Sequence, residues 1–215
     1  MYLMITPQSI DLSPGGEVVL RHQTWDNYEA LLKSRQDKAT LKIYFDANSH
    51  EIRIMAPMPG HGKRSKTLSD LVTTLLRYRS LDWEGYDPIT LKQFQQKGLE
   101  PDTCFYIANR QAVLGKERID LSVDPPPDLA LEVDLTSFTS PEDYQEIRIP
   151  ELWIYRPASF NIYIFDGQQY RESDVSQLFP EIPLKQLIPK YVERAWTAGS
   201  SVALREFEVE LARFS

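Results

Sequence analysis

The chain has 215 residues, 42% of them hydrophobic and 26% charged, with a formal net charge of −7. That is enough chain to bury a core without staples, and the single cysteine, Cys104, excludes an intrachain disulfide. The acidic balance argues against nucleic-acid binding by the surface as a whole, because phosphates are neutralised by Lys and Arg.

No stretch is apolar for long enough to span a bilayer. Met1 to Ile10 lacks a basic segment followed by an apolar one, so no signal peptide is expected. A lone cysteine suits a reducing compartment, and the cytoplasm is the expected location. Charge is unevenly spread. Between His61 and Leu81, Lys63, Arg64, Lys66, Arg77 and Arg79 face only one acid, Asp70. Such a basic segment can follow a phosphate backbone while the acidic remainder lies elsewhere, although a solvated helix face is the commoner use of such a run.

In chain order, Thr24-Trp25-Asp26-Asn27 opens a helix, with Thr24 as cap and Trp25, Tyr28, Leu31 and Leu32 at helical spacing. Leu41 to Phe45 and Glu51 to Met55 form a hairpin around Asp46-Ala47-Asn48-Ser49. Pro57-Met58-Pro59-Gly60 ends it. A helix from about Lys63 to Tyr78 follows, with Leu68, Leu71, Val72, Leu75 and Leu76 on one stripe. Strands are expected at Ile89 to Phe94, Asp102 to Ile107 and Asp128 to Leu135. Ser140 and Pro141 start a short helix, stopped before Pro150. Glu151 to Tyr155, Asn161 to Phe165 and Gln168 to Arg171 read as strands, and Leu184 to Trp196 and Val202 to Phe214 as helices. Alternating strands and helices predict an α/β fold with a mixed central sheet flanked by helices.

The most informative segment is Pro127-Asp128-Leu129-Ala130-Leu131-Glu132-Val133-Asp134. Strand side chains alternate faces, so Leu129, Leu131 and Val133 point one way, and Asp128, Glu132 and Asp134 the other. A half-exposed strand with a solvated acidic face is the ordinary reading of such alternation. Here the polar face carries no Lys, Arg or Thr to dilute the repulsion between like charges. A cation would relieve it, and all-oxygen ligands suit Mg²⁺ or Mn²⁺. Upstream, Gly98-Leu99-Glu100-Pro101-Asp102 sets a second aspartate at the mouth of the preceding strand. Two carboxylates from neighbouring strands on one divalent ion are suited to phosphodiester hydrolysis. Cys104 has no histidine partner pattern and reads as a buried small residue. His22 and His50 fall near turns and receive no role.

These segments together resemble the Uma-type endonucleases, a bacterial group within the PD-(D/E)XK superfamily. The resemblance runs from about Thr24 to Asp166. It comprises the opening helix, the hairpin ending Ile54-Met55-Ala56-Pro57, His61-Gly62, Glu100-Pro101-Asp102, the stretch from Pro126 to Ser137, and Ile149-Pro150-Glu151-Leu152-Trp153-Ile154-Tyr155. It implies a restriction-endonuclease-like core and a single domain over 1–215. Within it, helix and hairpin occupy 1–60, the nuclease-like core 61–172 and a helical segment 173–215. It implies a metal-dependent DNA endonuclease using Mg²⁺ or Mn²⁺, with Asp102 and Glu132 as metal ligands and Asp134 supporting them. His61 would stand near the site, and Lys63, Arg64 and Lys66 would contact DNA. Restriction-type nucleases pair to cut both strands, so a homodimer is also implied.

One departure stands out. The superfamily lysine two residues after the acid is replaced by Asp134, and Ser137 to Arg148, where similar proteins carry it instead, contains no lysine. Arg148 is the only cation there, and arginine cannot deprotonate to act as a base. Either another cation, such as Lys63, Lys66 or Lys92, reaches the site, or metal alone suffices, or the chain is a catalytically impaired member of the fold that binds DNA or protein.

Overall fold

A computed structural model of the chain describes residues 10–36, 41–135 and 139–214. Residues 1–9, part of the start read for a leader, and Thr136, Ser137 and Phe138 of the resemblance lie outside the described residues. Among the described residues no helix is long and apolar enough to cross a membrane.

The described residues build an α/β structure from two sheets and four α-helices. Helix α1 (Trp25–Arg35) is capped by Thr24, whose side chain accepts from Asn27 N–H while Asn27 Oδ1 accepts from Thr24 N–H. Its buried Tyr28 and Leu31 pack on Ile43, Phe45, Ile52 and Ile54 of the hairpin strands β2 (Lys42–Asp46) and β3 (Glu51–Met55). That hairpin is the centre of an antiparallel sheet. It is completed by β1 (Glu17–Leu20) beside β3, and by β6 (Lys97–Leu99) and β5 (Leu91–Gln93) beside β2. Gly98 of β6 lies against the Tyr28 ring, so closely that any Cβ there would collide with it.

The second sheet runs β11 (Tyr170–Ser173), β10 (Ser159–Phe165), β9 (Glu151–Arg156), β8 (Leu129–Val133), β7 (Thr103–Tyr106) and β4 (Glu84–Tyr86). Among the described residues only β8 and β9 are parallel. A parallel pair needs a long crossover, and the described residues of this one carry a 3₁₀ turn, Pro141–Tyr144. The sheet is thus mixed, as expected.

Helices α2 (Pro59–Tyr78), α3 (Leu184–Ala198) and α4 (Ser200–Leu211) bury Leu68, Leu75, Leu187, Ile188 and Phe207 in one core with Leu129, Leu131, Val133 and Trp153. The opposite face of β8 is also covered. Ala130 packs with Leu91, Leu99, Cys104 and Tyr144 in a second core between the sheets. The half-exposed strand considered for Asp128 to Asp134 is therefore replaced by a strand buried throughout. Its acidic face looks into a layer rather than into water.

Helix α2 begins at Pro59, earlier than Lys63, because a proline in the first helical turn lacks only an N–H that would be unpaired anyway. His61 consequently sits inside the first turn of the helix. The short strands β1, β4 and β6 are additions to the sequence-based elements.

Candidate active site

Antiparallel pairing of β7 with β8 sets Thr103 opposite Leu131. Continued by one residue, that register brings Asp102 across from Glu132. Both are buried, at 4% exposure each. Asp102 Oδ2 accepts from the Val133 N–H at 2.8 Å, so the aspartate is fixed to the very strand that carries its partner. His61 Nε2, from the first turn of α2, lies 3.0 Å from the same oxygen. Glu132 Oε1 accepts from the hydroxyl of Tyr144, which the 3₁₀ turn delivers.

The third charged member is Lys42, from β2 of the other sheet. Its Nζ donates to Asp102 Oδ1 and lies 3.8 Å from Glu132 Oε2. Lys42 is itself buried, 8% exposed. The backbone beside it is held by Glu100, whose Oε2 accepts from Ile43 N–H at 2.8 Å. Glu100 is in turn gripped by both Arg35 terminal nitrogens, at 2.6 and 2.5 Å, and by Thr90 at 2.6 Å. The Glu100-Pro101-Asp102 segment thus presents one carboxylate to the site and uses the other to seat the lysine strand.

Charge is unequally shared. Burial opposes ionisation of Asp102, but the Lys42 ammonium and the His61 hydrogen bond outweigh it and hold the carboxyl below the ordinary aspartate range. Burial also disfavours the charged form of Lys42, yet Asp102 keeps it protonated and raises its pKa. Glu132 is the unsatisfied member. Burial raises its pKa, Lys42 offsets only part of that, and repulsion from Asp102 adds to the rise.

Asp134 is bonded outside the Asp102–Lys42 contact, although its charge still adds to the rise of the Glu132 pKa. Its carboxylate accepts from Thr139 N–H at 2.9 Å, Thr139 Oγ1 at 2.8 Å and Arg156 Nη2 at 2.7 Å. β8 ends at Val133, and the Asp134 carboxylate, one residue beyond, anchors the start of the crossover. Asp128, the alternative motif aspartate, accepts from Ile107 and Asn109 N–H at 2.6 and 3.2 Å and shapes the loop after β7.

The cations considered as replacements for the motif lysine are engaged elsewhere. Lys63 and Arg64 lie over the Trp196 ring, 4.9 and 4.0 Å from its centroid. Lys66 pairs with Asp70 along the helix, Lys92 pairs with Glu29 at 2.9 Å, and Arg148 is exposed. Cys104 is buried and its thiol pKa is raised by that burial.

The donor chemistry suits a hard divalent cation. Asp102 and Glu132 offer carboxylate oxygens from adjacent strands, and Glu132 lacks full neutralisation; water would complete the shell of Mg²⁺ or Mn²⁺. Among the described residues no group of three or more His, Cys, Asp or Glu side chains is arranged around a common metal position. Glu132 also lines a cleft between the hairpin and the crossover, alongside Tyr44, Asp46, Lys97, Asp143 and Tyr144. Lys97 in its lining bonds Asp46 at 2.8 Å and Asp143 at 3.0 Å.

Comparison with known proteins gives one family. The Uma2 model, described as a putative restriction endonuclease, matches residues 25–197. No curated protein matches the chain. Among solved structures, a putative nuclease belonging to DUF820 from Anabaena variabilis ATCC 29413 is similar. Its TM-score is 0.49 and its identity 13%, over 82% of this chain and 98% of that one.

Proposed function

Because the chain belongs to the Uma2 family of putative restriction endonucleases, we propose that it is a metal-dependent DNA endonuclease hydrolysing phosphodiester bonds, with Asp102 and Glu132 as ligands of Mg²⁺ or Mn²⁺. The observation that carries this reading is the convergence of Asp102, Glu132 and Lys42, from two sheets, at one buried point. When bound, the ion would polarise the scissile phosphate and lower the pKa of an attacking water. Lys42 takes the role of the lysine missing after Glu132: its ammonium offsets negative charge that develops on the phosphoryl oxygens. Asp102, tied to Val133, keeps the geometry rigid. The first turn of α2 carries His61, and a helix N-terminus favours a phosphate. DNA as substrate implies a cytoplasmic protein, and cutting both strands implies two copies acting together.

Purified protein with supercoiled plasmid and Mg²⁺ or Mn²⁺ tests the reading. Nicking by the parent that is lost in Asp102→Asn supports it. Shifted plasmid mobility without nicking supports the impaired, DNA-binding form of the fold. Neither effect removes DNA from the account.

The basic start of α2 is the DNA-contacting surface in this proposal. Lys63 and Arg64 bracket Trp196, and Lys66 points outward beside Asp70. Changing Lys63, Arg64 and Lys66 together to Ala is expected to weaken binding to unrelated sequences about equally. It is also expected to flatten the salt dependence, by up to ~0.9 log units per lost contact. Unchanged affinity at low salt excludes this face.

A further inference from the structure

Lys42 occupies the place where a cation shared by Asp102 and Glu132 would be most stable. Its ammonium bonds Asp102 Oδ1 and stands 3.8 Å from Glu132 Oε2. Nor is its presence the accident of a loose surface side chain. β2 is paired on both sides, with β3 and with β6. The adjacent Ile43 N–H is fixed to Glu100, and Glu100 to Arg35. The remaining carboxylate oxygens are also engaged: Asp102 Oδ2 by Val133 and His61, and Glu132 Oε1 by Tyr144. Of the partners around the pair, Lys42 alone combines a full positive charge with a contact on Asp102 and an approach to Glu132.

We propose that Lys42 is a built-in rival of the divalent ion: ammonium and metal contend for the same two carboxylates, and the metal enters only as Lys42 gives up its bridging position. This rests on the reading of Asp102 and Glu132 as metal ligands. Like charges held within a few ångströms in a buried site repel far more strongly than in water, so the two cations cannot share the pair at low cost. The lysine stem is flexible, and a phosphate oxygen is a suitable new seat for the displaced ammonium. Substrate phosphate therefore favours metal entry, and by linkage metal favours phosphate. The site stays blocked by Lys42 until a phosphodiester arrives.

The test is Mn²⁺ binding without DNA, read from the loss of the free-ion electron paramagnetic resonance signal. Parent, Lys42→Met, Lys42→Gln and Lys42→Arg are compared, with Lys42→Met/Glu132→Gln as the site control. Met and Gln variants are expected to bind Mn²⁺ at least tenfold more tightly than the parent. The Arg variant, which keeps the charge, should stay close to the parent, and the double variant should lose the gain. Parent and charge-free variants binding Mn²⁺ equally well, or the variants binding more weakly, overturns the rivalry. No Mn²⁺ bound by any form overturns the rivalry and the metal reading together. Tighter binding by Lys42→Met in a protein whose parent never nicks plasmid keeps the rivalry and removes the nuclease reading.

Discussion

Asp102→Asn should lose about 3–5 kcal/mol of stability, the usual consequence of removing one member of a buried ion pair. The amide leaves the Lys42 ammonium buried, with Glu132 at 3.8 Å as its remaining acid. It also exchanges a carboxylate acceptor for a neutral one at the Val133 N–H. For a chain of this size each kcal/mol moves the melting temperature by roughly 2–4 °C, so the fall should be on the order of 10 °C. The pH dependence has a definite sign. Lys42 and His61 hold the Asp102 pKa below its unfolded value. Its contribution is therefore complete above the ordinary aspartate range and disappears as pH falls through the lower, folded value. The gap between parent and variant should close on acidification. Thermal melts of both proteins from neutral to acidic pH measure this. A gap of less than about 1 kcal/mol at neutral pH would mean that Asp102 and Lys42 are not coupled as described.

Glu132→Gln should act in the opposite direction. Burial and the charge of Asp102 raise the Glu132 pKa, so the folded protein favours the neutral acid. Its destabilising effect is absent below the unfolded glutamate pKa of about 4.3. The effect accumulates as pH rises toward the folded value and is full above it. Glutamine removes the charge and keeps an oxygen to accept from Tyr144. The variant should melt several degrees above the parent at mildly alkaline pH, by an order-of-magnitude reading of that shift, and together with it near the unfolded glutamate pKa. A lower melting temperature for Glu132→Gln across the whole range would contradict the charge distribution. Neighbouring acids do not simply raise one another here. One is stabilised by Lys42 and the other carries the strain, so neutralising the two has opposite effects.

Much of the scaffold was legible because its signals are local. Thr24 and Asn27 cap α1 through groups three residues apart, and the apolar stripe from Leu68 to Leu76 needs only helical spacing. Asp102 and Glu132 could be paired because a Pro-Asp at one strand start and an alternating acidic strand point to neighbouring strands. Lys42 could not be found in this way. On Leu41 to Phe45, Ile43 and Phe45 take the core face, leaving Lys42, Tyr44 and Asp46 to read as solvated. Only the apposition of two sheets turns that outer face inward, and nothing near residue 42 announces it. The lysines that the sequence offered, Lys63, Lys66 and Lys92, stand on α2 and β5, whereas the fold supplies Lys42 from the N-terminal hairpin. The bond of Asp134 to Arg156 on β9 likewise has no local signal. The strands β4 and β6, three residues each and containing Gly85 and Gly98, carry too little pattern to recognise.

In the proposed function Lys42, with Asp102 and Glu132, forms a site for phosphodiester hydrolysis. The rate of plasmid nicking by Lys42→Met, in saturating Mn²⁺ and at equal folded protein, tests it most directly. Parent protein should convert supercoiled plasmid to the nicked form, and Lys42→Met should be slower by on the order of a hundredfold or more, the scale set by removing a positioned transition-state donor. It should do so despite binding the metal more tightly. Nicking by folded Lys42→Met at the parental rate would contradict the account.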